Sequence, residues 1–243
     1  MPAFGCITWN IHRGRGANDR SGVDAKRIYQ AIETDIAPLE PHVLALQEAD
    51  EELRPHTQVI NPSYVADTLG LTHPQSDPVL RTSAQSCGFF GSVLFIHPEI
   101  EITHRAVVDL PGHWHRGAVI LETLWRGTPM RIATAHLSRL ELLRIAQMRT
   151  FGQFIMRRPR MPTLFVGDIN DWRPWSGLAF SRGLVGTRLT GPSRATFPVA
   201  RPILPLDRIL IDAPGTVRAT RVLDSPRLRR ASDHRPLWGD IRL

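Results

Sequence analysis

Near the end of the chain stands Ser232-Asp233-His234-Arg235-Pro236, and upstream, where apolar runs stop, stand Asn10, Glu48, His136, Asp168 with Asn170, and Asp207. Carboxylates and carboxamides hold a hard divalent cation through oxygen, while imidazoles contact a phosphate and handle its protons. As a set, these residues are the parts of a metal-dependent phosphoester hydrolase. Each alone has a plainer reading: Glu48 as a strand-end salt bridge, Asn10 as a turn or cap residue, His136 as a structural imidazole. Gly167-Asp168-Ile169-Asn170 also has the composition of many ordinary turns. The combination carries the signal.

Secondary structure must deliver these groups. Phe4 to Asn10 is a β-rich run ending at a polar residue, followed by the Gly-punctuated loop Arg13-Gly14-Arg15-Gly16. From Asp24 to Leu39, Ala25, Ile28, Ile32 and Ile36 recur at helical spacing, and Pro38 and Pro41 close the segment. His42 to Glu48 is a continuous apolar run ending in a carboxylate, the pattern of a strand buried on both faces. Strand, helix, strand implies a crossover. Residues 49–88 are Pro-rich and read as loop, with a short helix around Ser63 to Leu69.

Further strands are expected over Phe89 to Ile96, Ile100 to Val107, Gly117 to Trp125 and Met130 to Ala135, with hairpin-like connections that make the sheets mixed. Ser138-Arg139-Leu140-Glu141 has the form of a capping box, opening a helix that runs to Arg157-Arg158. Thr163 to Val166 enters the next strand. If its end stays extended, Asp168 and Asn170 project to the same side. Leu206 to Ile211 and Pro236 to Ile241 complete the pattern, and helices outside buried sheets are the expected layers.

Length and composition agree with this reading. A chain of 243 residues without a linker, repeat or low-complexity run is expected to form a single domain over 1–243. No apolar stretch approaches the roughly 20 residues of a membrane span. Met1 to Cys6 leads straight into a strand, so no secretory signal is expected and the cytoplasm is the expected location. Cys6 and Cys87 match no zinc or redox spacing and are expected to be reduced thiols. His113-x-His115 hints at zinc but lacks partners and reads as loop. The formal charge is +7, yet Lys26 is the only lysine among 30 basic residues. That spread of arginine permits an anionic substrate without choosing one.

Thr8-Trp9-Asn10, Leu46-Gln47-Glu48, Thr134-Ala135-His136-Leu137, Gly167-Asp168-Ile169-Asn170, Leu206-Asp207-Arg208-Ile209 and Ser232-Asp233-His234-Arg235-Pro236 resemble, in order, the successive motifs of the endonuclease/exonuclease/phosphatase superfamily. Ile169 stands where the family usually has an aromatic. The resemblance covers essentially the whole chain and implies an α/β fold: a four-layer α/β sandwich of two packed mixed β-sheets flanked by helices, with the active site at one edge. It also implies Mg²⁺ or Mn²⁺, held by Glu48 with Asn10 and Asp233 as direct or water-mediated partners.

By the same resemblance Asp168 orients or deprotonates the attacking water, and Asn170 bonds that water or a phosphate oxygen. His234 contacts the phosphate while Asp207 fixes its tautomer. His136 stabilises phosphoryl charge or protonates the leaving group. Whether His234 or Asp168 takes the proton stays open. Arg116 could offer a guanidinium fork, although a surface role is the stronger reading in a chain so rich in arginine. The expected reaction is phosphodiester hydrolysis by in-line water attack, with nucleic acid slightly favoured as substrate. Phospholipid or sphingomyelin-type phosphodiesters and small phosphoesters are alternatives. Thr196-Phe197-Pro198, Pro202 and Leu206-Asp207 look similar to small bacterial and lipid-acting members. An inactive binding protein on this fold is the alternative of another class. No protein partner is expected.

Overall fold

Strand β1 (Phe4–Asn10) turns Phe4 and Cys6 into one apolar cluster and Ile7 and Trp9 into another, the period of two that a strand imposes. Helix α1 (Ala25–Ala31) follows, capped by the Asp24 carboxylate on the Lys26 N–H, and continues through a π turn over Ile32–Ile36 and a 3-10 turn over Ala37–Leu39. Strand β2 (Val43–Gln47) then lies parallel to β1 and divides its residues the same way, Val43 and Ala45 against Leu44 and Leu46. The computed structural model describes residues 4–17, 22–112, 115–173 and 177–243.

Helix α2 (Pro62–Leu69) is capped by Asn61 and leads through a loop to β3 (Val93–Ile96). The expected strand from Phe89 is cut short. Phe89 and Ser92 exchange two backbone hydrogen bonds of 3.0 and 3.1 Å around Phe90 and Gly91, both at positive φ, which closes a tight turn rather than extending the strand. A long meander follows: β4 (Ile100–Leu110), β5 (Arg116–Trp125) and β6 (Thr128–Ala135).

Helix α3 (Glu141–Met156) crosses to β7 (Thr163–Asp168), parallel to β6. The expected capping box does not form, because Leu140 occupies the cap position and the Ser138 hydroxyl accepts from the Leu140 N–H instead. Glu141 is drawn away by Arg173, 2.6 Å distant. Short α4 (Arg182–Val185), β8 (Asp207–Ile211), β9 (Thr216–Val222), α5 (Pro226–Ala231) and β10 (Leu237–Arg242) complete the chain. The sequence reading carried neither β9 nor α5. β9 is an edge strand with little burial, and its Arg218 and Arg221 suit an edge that must not recruit another strand.

The strands form two five-stranded mixed sheets, ordered β3-β2-β1-β10-β9 and β4-β5-β6-β7-β8. Their inner faces share one core, in which Cys6, Val43 and Leu237 of the first sheet belong with Val119, Ile132, Leu164, Val166 and Ile209 of the second. α1, α2 and α5 cover the outside of the first sheet through Ile28, Ile32, Val65 and Leu228. α3 and α4 cover the second through Met148, Phe151 and Val185. Helix, sheet, sheet, helix is the four-layer sandwich that the motifs implied. Cys6 and Cys87 are both free and buried, and burial raises both thiol pKa values.

Candidate active site

The alternation that builds the inner core also builds the site. Asn10 shares a face with Cys6, His136 follows β6 on the face of Ile132, Asp168 shares a face with Leu164 and Val166, and Asp207 with Ile209. Each is the last or first residue of its run, so the inner faces turn from apolar to polar where the strands reach one rim. One layer below, Thr8 donates to Gln47 Oε1 at 3.2 Å, and Gln47 Nε2 reaches Thr134 Oγ1 at 3.4 Å, tying the two sheets together.

At the rim, Asn10 Nδ2 donates to Asp168 Oδ2 at 3.0 Å, across the two sheets. Asp168 Oδ1 accepts the Asn170 N–H at 3.0 Å. The expectation that Asp168 and Asn170 meet by strand alternation needs correction: β7 ends at Asp168, and Asn170 sits at φ 51° in the left-handed region. That turn, not the pleat, aims Asn170 Nδ2 at Leu137 O, 2.9 Å away, and at His136 Nε2, 3.0 Å away. Ile169 between them is buried in the outer core against α3. An aliphatic side chain fills that place without disturbing the polar flanks.

Gly167 is required by close approach. It lies at φ 154°, and a Cβ there would stand 2.1 Å from Ala135 O, the residue before His136. Gly167→Ala is expected to cost about 1–3 kcal/mol, the scale of an overpacked core. Urea denaturation measures it, and an unchanged midpoint would disprove the need for that contact.

His234 is held from several sides. Asp207 Oδ2 lies 2.8 Å from its Nδ1, Thr196 Oγ1 donates to the same Asp207 oxygen at 2.5 Å, and the Phe197 ring packs 4.8 Å from the imidazole. The Trp9 indole donates to His234 O at 3.1 Å, and Ser232 Oγ links the Asn10 carbonyl to the His234 N–H. His234 Nε2 is left facing Asp168 Oδ2 at 3.8 Å. Burial resists charge on this imidazole, but Asp207 first, with Asp168 and Asp233, outweighs it and lifts the pKa to about 10. Asp168 is pushed up to about 7 by burial, against the pull of His234 and with Asp207 adding to the rise.

His136 differs from His234. Burial, then the positive charge of Arg116, holds its pKa well below the ordinary histidine value, so the ring is neutral. Arg116 Nη1 lies 3.0 Å from His136 Nδ1, and a guanidinium can only donate. Both ring nitrogens of His136 face donors, Arg116 Nη1 at Nδ1 and Asn170 Nδ2 at Nε2, and Nε2 also lies 3.4 Å from Asp168 Oδ2. Arg116 itself is not the surface residue that composition favoured. Its guanidinium is turned inward against His136, and burial lowers its pKa.

Glu48 follows β2 at φ 58°, with its Oε1 3.8 Å from His136 Nδ1. Arg13 Nη1 donates to Glu48 Oε2 at 2.6 Å. Sequence reasoning missed Arg13, although it lies in the Gly-rich loop directly after Asn10. It also missed the supporting roles of Ser232, directly before the selected Asp233, and of Thr196, eleven positions before the Asp207 it holds. His113 lies outside the described residues. His115 stacks on Phe90 with ring centroids 5.4 Å apart.

The oxygen donors of Glu48, Asn10 and Asp233 fit a hard divalent cation. Burial raises the pKa of Asp233 against the pull of His234 and His12, and Glu48 adds to the rise, a repulsion that a bound cation relieves. Asp207 Oδ1 is buried with no hydrogen-bond partner among the described residues. A second group, Asp168, Asp207 and His234, has ligand atoms within 4.8 Å of one another. There the imidazole is already committed to Asp207 and favours the protonated form, which opposes its acting as a ligand.

The sequence matches the Endonuclease/Exonuclease/phosphatase family over residues 7–234. This chain belongs to that family of phosphoester hydrolases, whose enzymes depend on divalent metals. It is 26% identical over 250 residues to the uncharacterized protein YbhP of Escherichia coli (strain K12), covering 99% of this chain and 97% of that one. Its fold is similar to an endonuclease/exonuclease/phosphatase from Bacteroides vulgatus, with a TM-score of 0.71, 15% identity and 100% of both chains covered. It is also similar to D. rerio TDP2 complexed with single strand DNA product, with a TM-score of 0.68, 16% identity and 100% of both chains covered. A Bacteroides thetaiotaomicron VPI-5482 mannosyl-6-phosphatase gives a TM-score of 0.70 at 12% identity, covering 99% of this chain and 100% of that one. Among the described residues no helix is long and apolar enough to cross a membrane.

Proposed function

We propose that this protein hydrolyses phosphodiester bonds by in-line attack of water, with nucleic acid as the substrate. The observation that carries the reading is the joining of Asn10, His136, Asp168, Asn170, Asp207 and His234 by contacts of 2.8 to 3.8 Å at one rim between the sheets. Asp168, fixed by Asn10 and by the Asn170 N–H, presents its carboxylate to a water and takes its proton. His234, locked by Asp207, donates from Nε2 to a phosphoryl oxygen. His136, neutral and backed by Arg116, closes this side of the site, its Nε2 3.0 Å from the Asn170 amide and 3.4 Å from the Asp168 carboxylate. Glu48, Asn10 and Asp233 would hold Mg²⁺ or Mn²⁺, which supplies Lewis-acid stabilisation of the phosphoryl charge.

Nucleic acid is supported by the formal charge of +7 and by the likeness in fold to a protein solved with a single strand DNA product. A phospholipid substrate has one observation in its favour. Leu140, Leu142 and Trp172, which follow the site segments at His136 and Asn170, are all exposed apolar side chains.

A turnover screen with Mg²⁺ or Mn²⁺ over single- and double-stranded DNA, RNA, phospholipid vesicles, sugar phosphates and bis-p-nitrophenyl phosphate separates these substrates. EDTA is expected to abolish turnover, and cleavage of phospholipid alone would replace the nucleic-acid reading. Glu48→Gln is expected to weaken Mn²⁺ binding by at least about tenfold, since even the partners of metal ligands carry effects on that scale. Calorimetric titration of Mn²⁺ checks it, and unchanged affinity would move the cation away from Glu48.

A further inference from the structure

A cavity of about 850 Å³ opens at the end of the second sheet opposite the catalytic rim. Arg131, Thr163 and Asp212 line it. His136, Asp168 and Asp207 of the rim lie five positions away along the same three strands, roughly 17 Å at the rise of an extended chain. The cavity and the catalytic centre are therefore separate places.

Five arginines line the cavity: Arg131, Arg158, Arg160, Arg182 and Arg188. Glu122 pairs with both Arg131 and Arg158, with contacts of 2.9 and 2.8 Å. The one carboxylate in the lining, Asp212, is occupied: its two oxygens accept from the Thr163 N–H and the Thr187 hydroxyl. The guanidiniums of Arg160, Arg182 and Arg188 have no hydrogen bond or ion pair among the described residues. Arg131 Nε is buried and likewise has no partner. Guanidiniums merely solvated on a surface need no shared concavity. Here three unpaired ones meet around a single cavity, and guanidinium forks match phosphate oxygens in geometry and charge.

The walls are of another kind. Ile155, Met156, Met161, Val185 and Pro214 are apolar lining residues, and methionine adapts to ligands of varied shape. Apolar walls with a few convergent polar groups, at this volume, are the general form of a small-molecule site. We propose that this cavity binds a phosphorylated small molecule, its phosphate on Arg160, Arg182 and Arg188 and its organic body against Ile155, Met161 and Val185.

The test is calorimetric titration of the full chain in EDTA with three probes: ATP, 1-oleoyl lysophosphatidate and inorganic phosphate. At least one organic probe is expected to bind about tenfold or more tightly than inorganic phosphate. The triple variant Arg160→Ala, Arg182→Ala, Arg188→Ala should weaken that probe by at least about tenfold, the equivalent of one charge-assisted hydrogen bond. All three positions are exposed, so circular dichroism and turnover should match the unaltered protein. His234→Ala should leave binding unchanged. The proposal is overturned if no probe binds below millimolar concentration, if inorganic phosphate binds as tightly as both organic probes, or if the triple variant binds normally. Loss of binding in His234→Ala would place the probe in the catalytic site and overturn it equally.

Discussion

Asp168→Asn is expected to lower turnover of bis-p-nitrophenyl phosphate by about 10²–10⁴-fold, the range for a lost general base. The fold should not suffer. Asp168 is buried, and burial lifts its pKa from the ordinary aspartate value to about 7, so the folded protein holds a proton that the unfolded chain has already released. The contribution of a carboxyl with a raised pKa is fully present below about 3.8 and is lost as pH rises through about 7. In EDTA at pH 8, Asn should therefore leave the melting temperature unchanged or raise it. His234→Ala should also lose turnover while circular dichroism still reports a folded protein, but with a lowered melting temperature, because it leaves the buried Asp207 carboxylate without its partner. More than a tenth of the original turnover in either variant would remove these residues from the chemistry.

Glu122→Ala is expected to destabilise the protein by about 3–5 kcal/mol, the cost of breaking a buried ion pair by removing one partner. Glu122 Oε1 accepts from Arg131 Nη2 at 2.9 Å and from Arg158 Nε at 3.0 Å, and its Oε2 accepts from Arg158 Nη2 at 2.8 Å. Arg131 is buried, so its charge would be left with only Thr163 Oγ1 and Pro159 O. The Arg158 hydrogen bonds, against the opposing effect of burial and with Arg131 assisting, hold the Glu122 pKa down at about 2, below its ordinary 4.5. A depressed carboxylate stabilises above its unfolded pKa, so this contribution is complete above about 4.5 and fades as pH falls toward about 2. Urea midpoints across pH 2 to 6 should converge for wild type and variant at the acid end. Parallel curves would show that the pair does not act through charge.

Much of the site is legible because it follows from local rules. A strand alternates its side chains, so an apolar run ending in Asn10, Gln47-Glu48 or Gly167-Asp168 marks both a buried strand and the polar residue it carries to a sheet edge. The elements that were misread are those where a distant contact outweighs the local pattern. Ser138 looks like a helix cap, but Gln147 Oε1 takes its N–H at 2.8 Å and the helix begins three residues later at Glu141. Phe89 to Ser92 looks like strand, yet Gly91 lies where a Cβ would stand 3.3 Å from Glu48 Cα, and the chain turns to make that approach.

Sequence alone determined which residue types stand at the strand ends, in what order, and hence the class of chemistry available to them. Tertiary structure decided their states. Asn10 meets Asp168 across 158 positions, Arg13 meets Glu48 across 35, and Arg116 meets His136 across 20. Two histidines of identical intrinsic basicity thus part company, one backed by a carboxylate and the other by a guanidinium. The physical reason is that charge and proton position depend on which groups share a buried space, and that is set by the packing of the two sheets.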